Sequence, residues 1–229
     1  MLIRVIVALS FVAALLTGFA HADGWVNYST SIGDGPQIVG SGTLKTESRA
    51  LQGFNAIHMK DPSDVQVEIG PRFSVSVTSD DNLLPLVETR LDGDTLVIES
   101  KGSYRSHHAP KIKVVMPALS ALQVSGSGDA LIRGLDGGAV KLAVAGSGDI
   151  EAAGRIDELN IRIDGSGDVN AEQLKATKAK VEVDGSGDAN LTASDTLDAV
   201  VNGSGDIRYG GHPSHVSNKI HGSGDISTL

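Results

Sequence analysis

The chain contains no cysteine, which excludes disulfides, thiol chemistry and a lipidated N-terminal cysteine. Aromatic residues make up only 3% of it, so there are few platforms on which bases or sugar rings could stack. Lysine and arginine are scattered rather than clustered, and the net charge is -9. That balance offers no electrostatic footprint for nucleic acid or for anionic lipid. Beyond the first 22 residues no apolar run approaches the ~20 residues that a membrane-spanning helix needs, so the protein is expected not to be membrane-embedded. Without covalent staples the fold must be held by its core, and about 200 residues suffice for that.

The one long apolar run, Val5 to Phe19, follows a short basic start (Met1 to Arg4) and precedes Ala20-His21-Ala22. Basic start, short apolar stretch and small-x-small site predict a cleaved secretory signal over residues 1–22. The mature chain then starts near Asp23, with a leader over 23–39. The remaining chain, 40–229, is expected to form one domain.

What the chain has in excess is glycine, 28 of 229 residues, well above the usual ~7%. Much of it sits in six copies of Gly-Ser-Gly-Asp that begin at Gly126, Gly146, Gly165, Gly185, Gly203 and Gly222. The steps are 20, 19, 20, 18 and 19 residues, and a near-constant period of this length is the mark of a solenoid. Two positions before each motif stand Val124, Val144, Ile163, Val183, Val201 and Ile220. Four before stand Leu122, Leu142, Ile161, Val181 and Ala199, with Asn218 the one polar member. Four positions past the first glycine come Ala130, Ile150, Val169, Ala189, Ile207 and Ile226. This period-2 alternation predicts a strand, a Gly-Ser-Gly-Asp corner, a second strand and a looser third side in every coil.

The predicted fold is therefore all-β: a right-handed parallel β-helix with coils of about 19 residues, the hand following from chirality. Residues 119–229 hold the six repeats. Residues 40–118 also alternate, as in Asp64 to Ile69 and Lys111 to Val115, but lack the motif, and they are expected to form a strand-rich N-terminal cap. After the last motif only four residues remain, to Leu229, and no capping segment is visible there. The last coil is thus expected to be distorted or to meet another molecule.

Within the corner, the glycines suit positive φ and close approach of neighbouring coils, while serine and aspartate can bond the turn backbone. The aspartates Asp129, Asp149, Asp168, Asp188, Asp206 and Asp225 should form a column. Carboxylates ~4.8 Å apart repel by roughly 0.9 kcal/mol even in water, so either backbone donors satisfy each one or cations sit between them. Oxygen ligands of this kind suit calcium, which makes the column a candidate calcium site. A polysaccharide-active enzyme is a further alternative, although six equivalent corners single out no acid–base pair. His107-His108 and the trio His212, His215 and His221 lie in polar stretches without a cysteine or glutamate to complete a zinc set.

Beyond the repeats, a series of short segments occurs in a specific order. It comprises Gly40-Ser41-Gly42, Glu47-Ser48-Arg49, Gly53-Phe54-Asn55-Ala56-Ile57, Asp80-Asp81-Asn82-Leu83-Leu84-Pro85, Gly93-Asp94-Thr95-Leu96-Val97-Ile98 and Met116-Pro117-Ala118-Leu119. In these the chain resembles the bacterial head GIN domain family, a domain of unknown function labelled as an autotransporter adhesin. The resemblance implies a β-helical fold, export to the bacterial envelope or surface, and no assigned catalytic or binding residues. No room for a translocating barrel follows Leu229, so a periplasmic, envelope or secreted location is expected rather than self-transport. The resulting expectation is a non-enzymatic module that binds a glycan or protein ligand at the envelope, or that self-associates.

Overall fold

The structure, a computed structural model, describes residues 38–229; the predicted signal and most of the leader lie outside the described residues. The described chain is almost entirely strand and tight turn, with one 3-10 turn at Leu84–Leu86. Parallel strands stack into a β-solenoid, as the repeat predicts.

Two faces of the solenoid meet at the Gly-Ser-Gly-Asp corner. The face that enters the corner stacks Met59, Val124, Val144, Ile163, Val183, Val201 and Ile220 in register. The face that leaves it stacks Val65, Ala130, Ile150, Val169, Ala189, Ile207 and Ile226. From Met59 to Val201 and from Val65 to Ile207 these side chains are at most 3% exposed, so each column is a continuous apolar ridge. At ~25 cal/mol per Å² of apolar surface, such ridges are the main source of stability in a chain without disulfides. The third side carries the register shifts, between Glu151 and Gly154 and between Ala171 and Lys175, where the repeats differ in length.

The coil stacking continues N-terminal to the repeats. Ala56–Met59 and Asp64–Ile69 form a coil directly under the first Gly-Ser-Gly-Asp coil. Thr95–Ser100 and Lys111–Met116 form another, stacked outside it although later in sequence. The solenoid is then closed by antiparallel strands. Ser74–Asp80 runs against Lys111–Met116, Leu44–Arg49 against Ser74–Asp80, and Val87–Asp92 against Thr95–Ser100. The interior at this end is filled by Phe54, whose ring lies 5.0 Å from that of Phe73, and by buried Leu84 and Val87. Two buried carboxylates fasten the cap. Asp80 accepts from the Gly42 amide at 3.0 Å and the Ser106 hydroxyl at 2.6 Å, and Asp61 accepts from the Ser63 and Ser100 hydroxyls at 2.9 and 2.8 Å. Buried carboxylates are tolerated only with such donors.

Candidate functional site

The corner resolves into two rows of backbone contact. The Ser147 amide donates to the Gly126 carbonyl at 3.1 Å, and the same bond recurs from Ser166, Ser186, Ser204 and Ser223 to the first glycine of the preceding corner. The coils touch backbone to backbone there. A Cβ on Gly146 would lie 2.0 Å from the Gly126 carbonyl oxygen, and one on Gly148 2.1 Å from that of Gly128. None of the motif glycines has a positive φ, which corrects half of the expectation. Glycine is required at both positions by the close approach alone.

The aspartates do form a column, and every carboxylate but that of Asp225 accepts an amide from the next coil. Oδ1 of Asp129 accepts from the Asp149 amide at 2.9 Å, Asp149 from Asp168 at 2.8 Å, and Asp168 from Asp188 at 2.7 Å. Asp188 accepts from Asp206 at 2.8 Å, and Asp206 from Asp225 at 2.9 Å. Each aspartate carbonyl in turn accepts the amide of the residue after the previous aspartate, as from Ala130 to Asp149 at 2.8 Å. A hydrogen bond to an ionised group contributes about 1.5–3 kcal/mol, enough to offset the mutual repulsion of neighbouring carboxylates. Asp64 adds a rung below, facing the Asp129 amide at 3.5 Å.

The other candidate groups stay apart. His107, His108, His212, His215 and His221 are all exposed. Among the described residues no three of His, Cys, Asp and Glu converge as a metal site would require. His58, which the sequence does not single out, contacts the Ser125 hydroxyl at 2.9 Å; partial burial, aided by Lys60, holds its pKa below the ordinary imidazole value. Arg162 ties two coils on the entering face, bonding Asp164 of its own coil at 2.8 Å and Glu182 of the next at 2.9 Å and also reaching Asp184. Its hydrogen bond to Asp164 leads the causes that push its pKa up.

One concavity gathers chemistry. A groove of about 500 Å³ opens on the outer surface of the face leaving the corner, where the aspartate column meets the cap. Asp129, Asp149 and Glu151 supply acceptors on the repeat side, with Asp64 and Gln66 beside them. Lys111 and Lys113 supply donors from the outermost coil, and Ser76 and Thr78 add hydroxyls from the antiparallel strand. Lys113 is held by Glu68 at 3.4 Å. Period-2 alternation puts these side chains outward, because Val65, Ile112 and Ala130 between them are buried. Sequence reasoning missed the groove because Asp64–Ile69 pairs on one side with Lys111–Met116 and on the other with Ala130–Asp136, through a coil stacked out of sequence order.

A capped β-solenoid with a mixed-charge groove defines a class of repeat proteins that present a rigid, regular surface. Within that class the family is clear: the profile described as "Putative auto-transporter adhesin, head GIN domain" matches residues 53–213, and the chain belongs to that family. The solved structures that resemble it include these two. A "putative adhesin" from Bacteroides fragilis NCTC 9343 is 24% identical with a TM-score of 0.69, covering 84% of this chain and 100% of its own. A "putative lipid binding protein" from Parabacteroides distasonis ATCC 8503 is 26% identical with a TM-score of 0.57, covering 85% of this chain and 100% of its own. No curated protein matches the chain. Among the described residues no helix is long and apolar enough to cross a membrane.

Proposed function

We propose that the protein is an exported, non-enzymatic binding module of a bacterial envelope, and that the groove beside the first corners holds a glycan. The groove carries this reading. Its volume lies within the ~300–1,000 Å³ of ligand sites. Carboxylates on one wall face amines and hydroxyls on the other, the mixture of acceptors and donors that a row of sugar hydroxyls engages. The strands that carry these groups are fixed by ladder bonds on both sides, so the site needs little ordering on binding. Export is supported by the Ala20-His21-Ala22 leader and by the adhesin description of the family. That description also favours binding without turnover.

Calorimetric titration with a panel of neutral and acidic oligosaccharides tests the proposal. Wild type is expected to bind at least one with a Kd between micromolar and millimolar, and the Lys111→Ala/Lys113→Ala double variant at least tenfold more weakly with an unchanged melting temperature. No saturable binding across the panel, or glycan binding that the double variant leaves intact, would remove the groove from this role. Release of reducing ends from any polymer would replace the binding module with an enzyme.

A second reading assigns calcium to the aspartate column. It rests on the Oδ2 atoms, since Oδ1 of all but the last aspartate already accepts an amide from the next coil. In this reading the carboxylates of Asp129, Asp149 and Asp168 would hold calcium, whereas Oδ2 of Asp188 and of Asp206 faces Arg208 at 3.8 and 3.0 Å.

A further inference from the structure

The two ends of the solenoid are finished differently. At the N-terminal end the outer strands Leu44–Arg49 and Val87–Asp92 carry Lys45, Glu47, Arg49, Glu88, Arg90 and Asp92, the charged edge that resists pairing. At the other end, among the described residues, His215–Ile220 is paired on one side only, with Ala189–Val201, and all six of its residues are exposed. Val216 is 42% and Ile220 45% exposed, whereas their counterparts one coil earlier, Leu197 and Val201, are both at 0%.

Between Val216 and Ile220 stands Asn218, in register with buried Ala199 and, through it, Val181 and Ile161. An apolar cover over this end would leave the Asn218 amide buried without a hydrogen-bond partner. A cover that brings its own amide to the same point would not. The strand also reads alike in both directions about Asn218: apolar at 216 and 220, hydrophilic at 217 and 219.

We propose that this edge pairs with itself, joining two copies tail to tail through antiparallel His215–Ile220 strands with the dyad at Asn218. A dyad normal to the sheet keeps inward side chains inward. It sets Val216 on Ile220 of the partner subunit and Asn218 on Asn218 of the partner subunit, where two amides can exchange hydrogen bonds. Lys219 then faces Ser217 of the partner subunit rather than another cation. The contact is isologous and closes at the dimer, leaving the groove at the far end of each protomer free. The proposal does not depend on what the groove binds.

A chain without cysteine makes the test clean. Directly opposed residues in an antiparallel pair lie about 4.5–5.5 Å apart at Cα, within the ~4.4–6.8 Å that a disulfide spans. Under mild oxidation Asn218→Cys should form a disulfide-linked dimer. Ser217→Cys alone should not, but its equimolar mixture with Lys219→Cys should. Sedimentation of the wild type should give twice the protomer mass at tens of micromolar, and Asn218→Asp, which opposes two carboxylates on the dyad, should raise the dimer Kd at least tenfold. A monomeric wild type at the highest soluble concentration overturns the proposal, as does a dimer in which folded Asn218→Cys stays unlinked. Self-linking of Ser217→Cys would place a different register and overturn it equally. Amide exchange that shows the His215–Ile220 edge protected in a monomer would assign the cover to the protein's own chain and overturn it too.

Discussion

Replacing Gly187 with alanine should destabilise the solenoid by at least ~3 kcal/mol, or prevent folding altogether. The added Cβ would lie 2.1 Å from the Gly167 carbonyl oxygen and 3.2 Å from the Ile163 side chain. Neither neighbour can retreat. The Gly167 backbone belongs to a corner that is itself stacked on the next, and Ile163 is a fully buried member of the core column. Gly138→Ala is the control: nothing lies within 4 Å of its Cβ, and its φ of +74° confines the cost to the ~1–2 kcal/mol of a left-handed alanine. Denaturant unfolding of the two variants separates close approach from backbone conformation. A Gly187→Ala loss within 1 kcal/mol would mean that the corners are not in backbone contact.

Val183→Asp should be more severe, at about 5 kcal/mol or more, because it buries a charge that has no partner. Val183 is fully buried between Ile163 and Val201, both also at 0% exposure, in the middle of the entering face. A loss of that size rivals the whole stability of a typical domain, ~5–15 kcal/mol. The circular dichroism minimum of the stacked strands should disappear, and limited proteolysis should cut within the coils. Glu182, one residue earlier, points outward to Arg162 at 2.9 Å, and Glu182→Gln should cost no more than ~1 kcal/mol. Equal effects of the two substitutions would show that the alternation does not set inside from outside.

That alternation is what made the fold legible. Successive side chains of a strand must point to opposite faces, so the columns through Val183 and Val169 are legible in the sequence alone. The aspartate column was equally legible, because a fixed period places equivalent residues one above another. The two coils beneath the repeats were not, and the reason is local. A glycine is needed only where the coil below presents another tight corner. Asp61-Pro62-Ser63-Asp64 lies against the longer segment from Glu99 to Pro110, and that segment leaves room for the Asp61 and Ser63 side chains, which bond to each other while Asp61 also takes the Ser100 hydroxyl. The corner is there, and Asp64 occupies the aspartate position, but the glycines that advertise it elsewhere are absent. The placement of Thr95–Met116 outside Ala56–Ile69 is set by pairing, not by order along the chain, and so leaves no periodic trace. The groove depends on that placement, which is why its lysines could not be joined to the aspartates from sequence.

The account divides labour between two features: the corner aspartates hold successive coils together, and the groove recognises a ligand. A thermal melt in EDTA and again in millimolar calcium tests the first half most directly. The account predicts the same melting temperature in both, because each aspartate from Asp129 to Asp206 already accepts the amide of the coil above. A rise of several degrees in calcium would contradict it, and would make the column a cation site and calcium-dependent binding the leading function.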